Sequence, residues 1–108
     1  MTLTGEQLLD QIQDIGRKTL AAENELRLLN DQLNMTAMAV RADVAGLSEP
    51  QVWLAIWQDE KWNSIYRNIN GVYLQLVVLR TEYDNLYRRS QYATMVKVAS
   101  LVQTAASE

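Results

Sequence analysis

Apolar side chains recur at alternating spacings of four and three from Leu8 to Leu33, through Ile12, Ile15, Ala22, Leu26 and Leu29, with Thr19 as the one slip. A repeat of 3.5 residues holds a narrow stripe on one side of an α-helix, whereas a strand would need a repeat of two. A stripe this narrow is covered by one neighbouring helix, so the pattern commits the chain to helix-on-helix packing. Beyond Leu33 it loosens through Ala37, Val40 and Val44. The first helix is expected from about residue 5 to about residue 45. At 1.5 Å per residue it would be roughly 60 Å long, longer than a compact domain of this size requires.

The ends of this helix are written twice in the same code. Thr4 can cap the first turn with Gln7 closing the box, and Leu3 and Leu8 flank them as a hydrophobic staple. Gly46 then supplies a stop. Directly after it Leu47, Ser48, Pro50, Gln51 and Val52 repeat the start signal. A turn is therefore expected at about 46–48, and a connection this short makes the flanking helices antiparallel.

The second arm is expected from about 49 to 102. It opens with Val52, Trp53, Ile56 and Trp57, whose face falls out of phase with the apolar positions after residue 61. The polar run Gln58-Asp59-Glu60-Lys61 between them predicts a kink or break near 58–61. A second heptad run then reads Trp62, Ile65, Ile69, Val72, Leu76, Leu79, Tyr83 and Leu86, with Trp62 and Tyr83 expected in the core. Asn70-Gly71 is a hairpin dipeptide beside a strand-like stretch. Both sides share one heptad phase, which favours a continuous helix, with a hairpin as the alternative. The segment from Tyr92 to Val102 is apolar and helix-compatible, and the tail 103–108 is expected to fray. The expected fold is all-α, a single domain over 1–108: a long antiparallel helical hairpin with heptad-patterned arms that assembles into a helical bundle.

Composition narrows the chemistry. The chain has neither cysteine nor histidine, which removes thiolate nucleophiles, the usual zinc ligands and imidazole general bases. Glu6, Asp10, Asp14 and Lys18 form a row on the first helix. Such a row is expected near a helix N-terminus on dipole grounds alone, and hard-metal sites draw on several segments. Glycines are scattered singly, with no phosphate loop. The expectation is no enzyme, no catalytic or metal-binding residue and no cofactor.

The net charge is −3, and residues 1–50 hold most of the acidic excess. Such a balance fits segments that pack on one another better than a nucleic-acid binder. The opening residues lack a signal-peptide pattern, and the longest apolar run is Leu76-Val77-Val78-Leu79. A soluble cytoplasmic protein without a membrane segment is expected.

Interaction surfaces remain as candidates. Every aromatic lies after residue 52, and tyrosine and tryptophan are enriched in interfaces. Trp53, Trp57, Tyr66, Tyr73 and Tyr87 are the expected partner-binding residues. Leu9, Leu20, Leu28, Met35 and Met38 flank one seam and Val77 the other, and a two-helix hairpin cannot cover both flanks. Leu9, Leu20, Leu28, Met35 and Val77 are therefore expected to serve self-association, as a homodimer. The expected function is a structural or adaptor module acting through coiled-coil assembly. One alternative is a small inhibitor, immunity or chaperone-type protein that binds another protein through its Trp/Tyr-rich half. The other is a nucleic-acid-associated regulator using Arg80, Arg88, Arg89 and Lys97.

Overall fold

A computed structural model of the chain describes residues 4–107, with side chains for 4–92 and 94–103. The fold is all-α, a helical hairpin of three helices among the described residues: α1 (Gly5–Asp43), α2 (Glu49–Gln58) and α3 (Glu60–Ser107). By packing the chain divides into two compact units, Met1–Leu20 with Val77–Glu108, and Ala21–Leu76.

Both capping signals form. The Thr4 N–H donates to Gln7 Oε1 at 2.9 Å, and the Gln7 N–H donates back to Thr4 Oγ1 at 3.2 Å. The staple partner Leu3 lies outside the described residues. At the second start the Ser48 N–H donates to Gln51 Oε1 at 3.2 Å, and Pro50 occupies the first turn, where its missing N–H costs nothing. Between them α1 ends at Asp43, two residues before the expected end near residue 45. Gly46 carries the one positive φ among the described residues, +97°. A side chain there would meet the steric cost of the left-handed region.

In the first unit the buried seam consists of Leu8 and Ile15 from α1 with Leu79 and Leu86 from α3. In the second, α1 contributes Ala22 and Thr36, α2 contributes Val52 and Ile56, and α3 contributes Ile65, Ile69, Val72 and Leu76. Ile56 is the one fully buried large side chain among the described residues, at 0 % exposure. The first arm keeps its four-three alternation further than its apolar residues suggest. It passes through Leu33 to Thr36 and Val40, with Thr36 buried and Ala37 half-buried. Threonine can enter the seam because its hydroxyl is satisfied within its own helix. Thr36 Oγ1 donates to the Gln32 carbonyl at 2.8 Å, and Thr19 Oγ1 to the Ile15 carbonyl at the same distance. Among the described residues no buried side-chain nitrogen or oxygen lacks a partner.

The break in the second arm is a single residue. Asp59 is extended (φ −69°, ψ 125°) and ends α2. It also begins α3, its Oδ2 accepting the Trp62 N–H at 2.8 Å, as an N-cap aspartate does. Asn63 Nδ2 closes the kink by donating to the carbonyls of Trp57 (2.7 Å) and Asp59 (2.8 Å).

One expectation changes and one alternative falls. Asn70-Gly71 lies inside α3, so the hairpin alternative falls. Tyr83, expected in the core, is 42 % exposed and stacks on Tyr87, with centroids 6.2 Å apart. Its ring lies along Tyr87 rather than in the seam. α3 runs on to Ser107.

Candidate interaction surface

In the second unit α2 divides its apolar residues between two sides. Val52 and Ile56, four apart, are buried; their neighbours Trp53 and Trp57, also four apart, therefore face outward. The two indoles lie 6.1 Å apart at 40°, and with Pro50 they line a shallow apolar hollow. Leu47 and Leu54 are exposed as well. Arg41 at the end of α1 places its guanidinium 5.1 Å from the Trp53 ring centroid, and its Nη1 donates to Glu49 Oε1 at 2.7 Å. That hydrogen bond, helped by the attraction between the charges, raises the Arg41 pKa and holds the Glu49 carboxyl below its usual range.

Further along the same unit Trp62, half-buried, stacks on Tyr66, with centroids 5.2 Å apart and planes within 8°. Tyr73 is exposed seven residues beyond Tyr66. On α1, Leu28 and Met35 sit one heptad apart and Met38 comes next, all exposed. Neither set is covered within the unit.

In the first unit Leu9 and Leu20 of α1 and Val77 and Tyr87 of α3 are exposed, Tyr87 through its stack on Tyr83. Each residue expected at a partner or self-association surface therefore stands at the surface, although no single patch gathers them all. The four cations are not brought together. Arg89 lines a groove with Asp10, Asp14 and Glu82, where Asp14 also pairs with Lys18 at 3.0 Å. At 100° per residue Arg80 and Arg88 fall on one side of α3 and Lys97 on another.

Sequence reasoning missed part of this surface. Leu74, Val78, Tyr92, Met95, Val96, Val98, Leu101 and Val102 are all exposed by half or more. The signal lay in the phase of the pattern. After Leu86 the seam positions pass to Ser90, Lys97 and Ser100, while Met95 and Val102 fall roughly half a turn away.

Among the described residues no three carboxylates gather as a metal site would need. No helix among them is long and apolar enough to cross a membrane. No family model matches the chain, and no curated protein or solved structure is significantly similar to it.

Proposed function

We propose that this chain is a non-enzymatic interaction module, a structural or adaptor protein that self-associates through coiled-coil packing of its helices, as a homodimer. The observation that carries this reading is the exposed apolar flank on both arms: Leu9, Leu20, Leu28, Met35 and Met38 on α1, and Tyr66, Tyr73, Val77 and Tyr87 on α3. Exposed apolar surface of this extent marks an interface, and a second hairpin offers helical faces of matching period. A cytoplasmic place fits the cysteine-free composition.

Self-association links folding to protein concentration. The melting temperature followed by far-UV circular dichroism should rise over a hundredfold range of concentration. A melting temperature constant over that range contradicts the reading.

The Trp53–Trp57 hollow favours a second role, docking of another protein. Its indoles stand on the side of α2 away from Val52 and Ile56, and Arg41 lies over the Trp53 ring. Under that role Trp53→Ala and Trp57→Ala would abolish partner capture while leaving self-association in place.

A further inference from the structure

The outer face of α3 within the first unit carries a second stripe, opposite the seam. Val77, Thr81, Asp84, Arg88, Gln91 and Met95 recur at alternating spacings of four and three, the same period as the seam. All six are exposed, Val77 at 58 % and Met95 at 69 %. Among the described residues neither Asp84 nor Arg88 has an ion-pair partner. The stripe thus has apolar ends and a charged centre.

Its order is self-complementary in one direction only. Laid parallel on a second copy in register, the stripe sets Asp84 on Asp84 and Arg88 on Arg88. Laid antiparallel and centred at position 86, it sets Asp84 against Arg88 of the other copy, twice by symmetry. The same register places Val77 on Met95 and Thr81 on Gln91. Tyr87 then lies beside the two-fold axis.

The geometry points to an antiparallel, isologous contact between the outer faces of α3 in two copies of this chain, set in register by the Asp84–Arg88 pairs. This rests on the self-association proposed above and assigns it a surface. Charge complementarity favours a second copy over any other occupant, because Asp84 in one half of the stripe meets Arg88 in the other half. The overlap from Val77 to Met95 covers about 28 Å of helix at 1.5 Å per residue. Charged pairs inside such a seam act chiefly on register and orientation.

The absence of cysteine allows a direct test on the full chain. Thr81→Cys and Gln91→Cys are prepared separately, oxidised alone and as a mixture, and read by non-reducing electrophoresis. Only the mixture should cross-link, since position 81 stands about 15 Å from its own copy in this register, beyond disulfide reach. Alongside, Asp84→Arg should raise the dimer dissociation constant about tenfold, two attractions having become repulsions. Adding Arg88→Asp to the same chain should restore it. Cross-linking of either variant with itself overturns the antiparallel register. A dimer that does not cross-link in the mixture, or that ignores Asp84→Arg, overturns this surface and leaves self-association standing. A monomer at every concentration overturns both.

Discussion

Gly71 is the position where two readings of this chain predict opposite signs. In the structure it lies inside α3, its φ is negative, and a Cβ added there meets nothing within 4 Å. Glycine in an exposed helix interior costs about 1 kcal/mol relative to alanine, through backbone entropy. Gly71→Ala should therefore stabilise the fold by somewhat less than 1 kcal/mol, since no new contact forms. For a chain of about 100 residues that corresponds to a rise of roughly 4 °C in melting temperature. The assay is thermal unfolding followed by far-UV circular dichroism, with variant and parent at one protein concentration. Gly46→Ala is the matched control, because Gly46 holds φ +97°. A side chain in that region costs about 1–2 kcal/mol, so this variant should melt lower. Were Asn70-Gly71 a hairpin turn, Gly71 would need positive φ and Gly71→Ala would lower the melting temperature. That result would refute a continuous α3.

Three further outcomes rest on the same geometry. Ile56→Ala empties the most buried side-chain position and should cost about 2–5 kcal/mol, read as a lower urea midpoint. Asp59→Ala removes the acceptor of the Trp62 N–H and should cost about 1 kcal/mol. Asp59→Asn, which can still cap, should recover most of it. The third concerns pH: Glu49, with its pKa depressed by the Arg41 hydrogen bond, contributes at neutral pH. That contribution is lost as pH falls through a value below the usual 4.5. Tryptophan fluorescence should change in that window as Arg41 leaves Trp53, and Glu49→Gln should abolish the transition.

The helical hairpin was legible because its two devices are local. The four-three period sets the seam, and the Thr4/Gln7 and Ser48/Gln51 boxes set the starts. Where the reading fell short, a side chain acted through a bond that composition does not display. Thr36 interrupts the apolar pattern, yet it is buried because Gln32 accepts its hydroxyl. Asp59 looked like one polar residue among four, and only its bond to the Trp62 N–H shows that it is the break. Tyr83 had the right phase for the core, but its ring lies along Tyr87 instead. The flanks were legible as a surplus of apolar residues, and the structure leaves them exposed. The outer stripe on α3 was hidden because four of its six residues are polar. Its meaning depends on knowing that α3 is one unbroken helix through Leu86.

The central claim, that this chain assembles with itself, is tested most directly by its mass in solution. Light scattering after gel filtration should be run across a wide range of protein concentrations and at two salt concentrations. Twice the mass of one chain, approached as concentration rises and persisting at high salt, is the predicted result. The mass of a single chain at every concentration would contradict it.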